Sequence, residues 1–195
     1  LDSITGQEPY NMPAIILDRD GVINEDSDSH IKTLAEWKPL PGSIDAIVRL
    51  SRNGWTVAVC TNQSGIARGL TAPEALEAMH AELHRLVNHQ GGEIHGIFIC
   101  PHGPDSDCHC RKPRPGLLLE AGSVLGFSLA GVPVIGDSAR DLIAARRVGA
   151  RPVLVKTGKG LRTLAAGQGP CAGDIHNNLA AAVTALLSEP TEVPT

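Results

Sequence analysis

Asp18 and Asp20 stand one residue apart in "LDRDG" (17–21), directly after the apolar run "PAII". On an extended backbone, residues two apart face the same way, so both carboxylates share a face and Arg19 points to the other. Carboxylates this close repel, and one tends to stay protonated unless a cation lies between them. A Mg²⁺ held by hard oxygens relieves that repulsion and keeps positions open for a phosphate. One carboxylate can then attack phosphorus while the other gives a proton to the departing alcohol. Taken alone, the pair also reads as a simple turn, with Asp18 as its cap. Asp137 in "VIGDSARD" ends a second apolar run and is aimed at the same edge, which makes it the third expected Mg²⁺ ligand. Ser138 and Asp141 have the spacing of a capping box at a helix start, and Asp141 is assigned mainly to that structural role.

A phosphate also needs donors and positive charge. "TNQSG" (61–65) offers Thr61, Asn62, Gln63, Ser64 and backbone N–H groups where a strand opens toward a helix, although such residues also make an ordinary polar loop. "CRKPRPG" (110–116) carries Arg111 and Lys112 in a segment stiffened by Pro113 and Pro115. There Arg supplies a bidentate fork and Lys a point charge. Just before them, Cys100, His102, Cys108 and Cys110 fall within eleven residues. Three thiolates and an imidazole make a closed tetrahedral Zn²⁺ site with no open catalytic position. Its expected task is to staple the loop 100–110 and deliver Arg111 and Lys112. His102 is preferred to His109, which would crowd three consecutive ligands. The odd total of five cysteines and their clustering argue against a disulfide framework. His80 and His84 lie four apart on a predicted helix with no third ligand nearby, and are read as a solvated face. "KTGKG" (156–160) lacks P-loop spacing but follows a predicted strand and could border the site. Trp37, Trp55 and Met79 are read as packing residues.

These residues need a scaffold. Apolar runs at 13–18, 56–62, 96–100, 132–137 and 151–156 predict strands, and the segments 43–52, 72–89, 115–125, 139–148 and 177–187 predict helices. Continuous rather than alternating apolar character marks strands covered on both faces. The alternation of strand and helix predicts a single α/β, Rossmann-like domain with a mostly parallel sheet and right-handed crossovers. Ligands in such sheets bind beyond the carboxyl ends of the strands, where the acids and "TNQSG" fall. The domain is expected over 12–188, with 1–11 an arm or expression remnant and 189–195 a frayed tail. Net charge of −4 and 3% aromatic residues speak against nucleic acid as a partner. No apolar run approaches a membrane span. A cytoplasmic monomer acting on a small molecule is expected.

In chain order, "DRDG", "TNQSG", "RKP" and "GDSARD" resemble the four motifs of the haloacid dehalogenase superfamily of phosphohydrolases. The zinc-loop subgroup without a large cap fits best. Over about residues 14–160, "LDRDGVIN", "TNQSGIARG", "CPH…CxCRKPxPG" and "KTGK" are similar to the members acting on a heptose bisphosphate. The sibling histidinol-phosphate phosphatases usually carry "NQDG" without "SGIARG". The resemblance implies a Mg²⁺-dependent phosphatase that removes the 7-phosphate of D-glycero-D-manno-heptose 1,7-bisphosphate, supplying heptose 1-phosphate for nucleotide-activated heptose in envelope glycans. It implies that Asp18 is the nucleophile and forms an aspartyl-phosphate, and that Asp20 protonates the leaving oxygen and then activates water. Mg²⁺ would sit on the Asp18 carboxylate, the Asp20 backbone carbonyl and Asp137. Lys112 would balance charge on the phosphoryl group, Thr61 and Asn62 would orient it, and Arg111 would hold the second phosphate of the sugar bisphosphate. Asp26, Ser27, Asp28 and Ser29 would border the sugar with Gln63 and Ser64.

Two departures stand out. Ser138 replaces a Lys that many family members carry, and only five residues separate His102 from Cys108. The competing readings are a histidinol-phosphate phosphatase, or a non-catalytic zinc-bearing or phospho-accepting domain. The last has no use for a second acid two residues after the acceptor.

Overall fold

The computed structural model describes residues 12–189; the expectations for residues 1–11 and for the tail after Glu189 lie outside them. From the N-terminal side, β1 (Ala14–Leu17) leads through a long excursion to α1 (Ser43–Arg52) and β2 (Thr56–Asn62). A short α2 (Ser64–Ala67) and a long α3 (Pro73–His89) return the chain to β3 (Gly96–Cys100). After the cysteine loop come α4 (Gly116–Leu125), β4 (Pro133–Gly136), α5 (Ala139–Arg147) and β5 (Arg151–Val155). The chain closes with α6 (Gly160–Ala165), β6 (Ile175–His176) and α7 (Leu179–Ser188).

The sheet order is β3-β2-β1-β4-β5-β6, and every pairing is parallel, beyond the "mostly parallel" expectation. All five predicted strands are present. β6 goes unseen in the sequence because two residues, paired through Leu154↔Ile175, are too short to show a pattern. The short helices α2 and α6 are missed for the same reason. α7 begins at Leu179 rather than at 177 because the Asn178 side chain caps it, accepting from the Ala181 N–H at 2.9 Å.

Alternation along β1 builds two cores. Ile15 and Leu17 face α1, α3 and α7 with Ile47, Leu50, Leu83 and Leu186, whereas Ala14 and Ile16 face α4 and α5 with Leu117, Leu118 and Ala144. Trp37 and Met79 are buried in the first core and Trp55 packs against it, as expected of packing residues. Each fully buried aliphatic side chain contributes about 1.5–3 kcal/mol. The strand order reverses at β1: the chain first builds outward through β2 to β3, then crosses to β4 on the other side. A crevice opens where connections diverge in this way, beyond the carboxyl end of β1, and that is where "DRD" lies. No helix among the described residues is long and apolar enough to cross a membrane.

One turn behind the crevice has no slack. As β5 passes into α6, a Cβ on Gly160 would land on the carbonyl oxygen of Val155. Backbone cannot step aside there, so Gly160→Ala is expected to destabilise the protein by about 1–3 kcal/mol. Urea unfolding measures this directly, and an unchanged midpoint would contradict the crowding.

Candidate active site

The crevice has a cavity volume of about 170 Å³ and opens to solvent. At its floor lies Lys112, whose side chain is 3% exposed. Its Nζ sits 2.9 Å from Asp18 Oδ1 and 2.6 Å from Asp141 Oδ1, and donates to the Cys60 carbonyl at 2.7 Å. Asn62 clamps the same residue from both sides: its Nδ2 donates to the Lys112 carbonyl at 3.0 Å and its Oδ1 accepts from the Lys112 N–H at 3.1 Å. Both polar ends of Asn62 are thereby engaged with Lys112, and Asn62 also lines the crevice. Burial opposes the ammonium, but Asp141 and Asp18 outweigh it and raise the proton affinity of Lys112.

Asp141 is therefore more than a cap. Its Oδ2 accepts from the Ser138 hydroxyl at 2.6 Å and from the Ser138 N–H at 3.1 Å, completing the capping box, while Oδ1 pairs with Lys112. The spacing "SARD" discloses the first role only, since the second partner comes from another segment. Asp137 is buried at the end of β4, and its Oδ2 accepts from the Lys159 N–H at 2.7 Å. Gly21 and Gly158 pack against this carboxylate at φ of 81° and 55°, in space that a Cβ would fill.

Three acids, Asp18, Asp137 and Asp141, bring carboxylate oxygens within 4.8 Å of one another. Burial, then the Asp141 charge, push Asp18 up to about 8 despite Lys112. Burial and Asp141 likewise push Asp137 up to about 7. Burial would also raise Asp141, but Lys112 and Ser138 hold it below the usual carboxylate value. One ammonium does not balance three carboxylates, and the hard-oxygen donor set fits a divalent cation.

Asp20 lies apart from this cluster. Arg19 does not turn away from it as strand alternation suggested. β1 ends at Leu17, and the Arg19 carbonyl then accepts from the N–H groups of Val22, Ile23 and Asn24 in a tight turn. The buried guanidinium curls back, with Nε 2.9 Å from Asp20 Oδ1 and Nη2 3.1 Å from Oδ2. Asn24 Nδ2 and Gln63 Nε2 each donate to Asp20 at 2.9 Å. Burial pushes the Asp20 carboxyl up, yet Arg19 and these donors outweigh it and hold the group low. Gln63 also donates to Thr61 Oγ1 at 2.9 Å, which leaves the Thr61 hydroxyl proton to point at an anion. His80 corrects a second expectation. It lies on the buried face of α3 beside Leu76, Met79 and Leu83, not on a solvated one, and contacts Arg19.

Asp26, Ser27, Asp28, Ser64 and Arg111 line the crevice. Ser29 does not: the turn in which its N–H meets Ser27 Oγ at 3.2 Å leaves it exposed outside. Asp26 pairs with Lys159 at 2.7 Å and Asp28 with Arg162 at 3.4 Å, tying the excursion after β1 to the loop after β5 and to α6. His30, Arg140 and Lys159 also line the crevice and were not among the expected site residues. Only Lys159 left a trace in the sequence, through "KTGK". Arg111 Nη1 donates to the His102 carbonyl at 3.0 Å, and burial with the nearby Arg140 and Arg68 charges lowers its proton affinity. Crowded guanidinium groups of this kind suit a second anionic group.

Cys100, His102, Cys108 and Cys110 converge, with their ligand atoms all within 4.8 Å of one another. Cys100 Sγ lies 3.6 Å from His102 Nδ1, 3.8 Å from Cys108 Sγ and 3.2 Å from Cys110 Sγ. A tetrahedron with Zn–S near 2.3 Å has edges of about 3.8 Å, so the set fits Zn²⁺. His109 is exposed and outside the cluster, in line with the preference for His102.

Comparison with known proteins gives concordant matches. A family model described as HAD-hydrolase-like matches residues 109–182. The D-glycero-beta-D-manno-heptose-1,7-bisphosphate 7-phosphatase of Pseudomonas aeruginosa is 60% identical over 173 residues, 89% of this chain and 97% of that protein. Its counterpart in Bordetella bronchiseptica is 50% identical over 178 residues, 91% of this chain and 99% of that one. The crystal structure of the B. bronchiseptica D,D-heptose 1,7-bisphosphate phosphatase, complexed with magnesium and phosphate, superposes with a TM-score of 0.88 at 50% identity, covering 92% of this chain and 100% of that one.

The carboxylate surplus has a measurable consequence. Asp18 and Asp137 bind protons more tightly folded than unfolded, so the associated stability is present at low pH and is lost as pH rises through about 7 and about 8. Burial and Arg19 depress His80 from 6.5 to about 4, which makes it act in the opposite sense only below 6.5. Cys108 acts in the opposite sense across the same range, because burial, which pushes its thiol up, is outweighed by the Arg111 N–H and the neighbouring thiols, which bring it to about 6. The expected signal is therefore a difference: the gain in melting temperature on adding Mg²⁺ grows between pH 6.5 and 8. A gain that does not change with pH would mean that the three acids are already balanced.

Proposed function

The chain belongs to the haloacid dehalogenase-like hydrolases, and we propose that within this family it removes the 7-phosphate of D-glycero-β-D-manno-heptose 1,7-bisphosphate, leaving heptose 1-phosphate and inorganic phosphate. The carrying observation is the Lys112 ammonium between Asp18 and Asp141, with Asp137 in the same cluster and Asp20 lining the same crevice. It is the arrangement of a phosphatase site in which a buried cation meets the nucleophile and a divalent cation would complete the charge balance.

In this reading an Asp18 carboxylate oxygen attacks the 7-phosphorus and the P–O bond to the sugar breaks. Asp20 gives its proton to the departing sugar oxygen. Because Arg19 and its neighbours hold Asp20 ionised at rest, that proton is taken from solvent as substrate binds, and the one Asp20 gains in the second step returns to solvent. Asp20 then accepts a proton from water as it attacks the aspartyl-phosphate, which releases phosphate and restores Asp18. Lys112 and the Thr61 hydroxyl stabilise the equatorial oxygens during both transfers, the main contribution protein can make to phosphoryl transfer. Mg²⁺ would be held by the Asp18 and Asp137 carboxylates and the Asp20 backbone carbonyl, and when bound it supplies the positive charge that those acids lack.

Arg111, with Arg140 close by, suits the 1-phosphate, while Asp26, Ser27, Asp28, Gln63 and Ser64 border the sugar. Arg140 stands two residues after Ser138 and can supply the cation that Ser138 does not. The β configuration rests on the names of the relatives at 60% and 50% identity. Zn²⁺ on Cys100, His102, Cys108 and Cys110 has a structural role: it leaves no open position and ties down the loop that carries Arg111 and Lys112. The reading includes residues 12–188 as one catalytic domain, a small phosphosugar as partner, and a monomer working in the cytoplasm on envelope-glycan precursors.

Asp18→Asn is expected to lower turnover of the bisphosphate by about 10³-fold or more with the fold intact. Phosphate release from both anomers and from histidinol phosphate, beside wild type, tests the nucleophile and the substrate together. Near-wild-type turnover by Asp18→Asn would remove Asp18 from its role, and preference for histidinol phosphate would replace the sugar. Cys108→Ser is expected to lose zinc and lower the melting temperature by several degrees. Full zinc content with unchanged melting would contradict the structural assignment.

A further inference from the structure

Behind the crevice Arg19 is paired with His80, a side chain that none of these steps uses. Arg19 is 1% exposed, one of the largest fully buried side chains in the protein. It spends Nε and Nη2 on Asp20, and its Nη1 lies 3.2 Å from His80 Nε2. Arginine has N–H donors and no acceptor, so His80 Nε2 must be the nitrogen bearing the lone pair, and the imidazole is neutral with its proton on Nδ1. Burial and the Arg19 charge agree, pushing His80 down to about 4.

A neutral acceptor here has a particular effect. A carboxylate in the place of His80 would compete for the guanidinium and draw its charge away from Asp20. An apolar side chain would leave Nη1 unpaired in the core, a costly state that re-aiming the guanidinium would relieve. Histidine orients the fork and leaves the full charge for Asp20. The other donors to Asp20, Asn24 and Gln63, are neutral. Arg19 is thus the charged grip on this carboxylate, and its aim is set from α3, which otherwise contributes apolar packing.

We propose that His80 is a positioning residue, acting through Arg19 to fix the direction in which the Asp20 carboxylate meets the leaving oxygen and the attacking water. The inference rests on Asp20 being the acid and base of the proposed reaction.

The test compares two leaving groups. The sugar oxygen needs a proton to depart, whereas p-nitrophenolate does not. His80→Leu keeps bulk and removes the acceptor; His80→Gln keeps an acceptor of similar reach. For His80→Leu, kcat on the heptose bisphosphate is expected to fall about 10- to 100-fold, the scale of a small misplacement of a reacting group. KM should stay within about 2-fold and the p-nitrophenol burst from p-nitrophenyl phosphate should be spared, because binding and nucleophilic attack do not pass through His80. His80→Gln should recover most of the lost rate. An unchanged kcat in His80→Leu overturns the proposal. Equal losses on both substrates without rescue by His80→Gln also overturn it, since they mark a packing role. If His80→Leu does not fold, Arg19→Lys keeps the buried charge without the fork, and the same leaving-group-selective loss is required of it. Asp20→Asn runs alongside: if it retains sugar turnover, the acid–base reading fails and the His80 proposal falls with it. Loss in Asp20→Asn with none in His80→Leu overturns only the latter.

Discussion

The buried ammonium of Lys112 is the interaction on which the site depends. Three carboxylates from the ends of β1 and β4 and the start of α5 converge on one point. They can do so in a folded chain because a cation is driven between two of them. Removing one partner of such a buried pair leaves an uncompensated charge and costs about 3–5 kcal/mol. The ammonium is held by Asp18, Asp141 and the Cys60 carbonyl, and its backbone by Asn62. These contacts join β1, β2, α5 and the cysteine loop around one atom. The cysteine–histidine cluster belongs to this constraint, since the loop it gathers carries Lys112 and has little apolar surface of its own.

The acids fall into two electrostatic compartments. Asp18, Asp137 and Asp141 share Lys112 and remain short of positive charge, so two of them rise to about 8 and about 7. Asp20 faces a guanidinium and two amides, and is held low. Neighbouring carboxylates with separated proton affinities are how one site divides its labour. The first compartment asks for a divalent cation, which would ionise Asp18 for the nucleophilic role proposed for it. The second keeps Asp20 fixed, charge-balanced and unprotonated, the form that the base role proposed for it requires. The mouth is built differently, from ion pairs between Asp26 and Lys159 and between Asp28 and Arg162 and from the arginines near the cysteine loop. Screened by solvent, those contacts are weaker than the floor and better suited to exchanging partners with an anionic substrate.

The sheet and the ring of acids were legible in the sequence for one reason. Continuous apolar runs define strands covered on both faces, and polar residues at their carboxyl ends must lie on one edge of a parallel sheet. Asp18, Asp20, Asp137, "TNQSG" and the four zinc-fitting residues could all be placed that way, because each is the end of an apolar run or a dense local cluster. What could not be read is whatever needs a partner from a distant segment. "SARD" shows a capping box, but the Asp141 oxygen that meets Lys112 becomes visible only once the cysteine loop folds over β2. Arg19 was expected to turn away because alternation was carried one residue past the end of β1. His80 was read as solvated, for the polar residues around it hide the buried stripe of α3. Ser29, Arg140 and His30 depended on how irregular backbone turns, and no periodicity governs that. The sequence by itself thus determined which chemical groups reach the catalytic edge, through the local physics of apolar runs. The tertiary structure alone decided which of them pair, and so where charge is balanced, because pairing requires segments tens of residues apart to close within hydrogen-bonding distance.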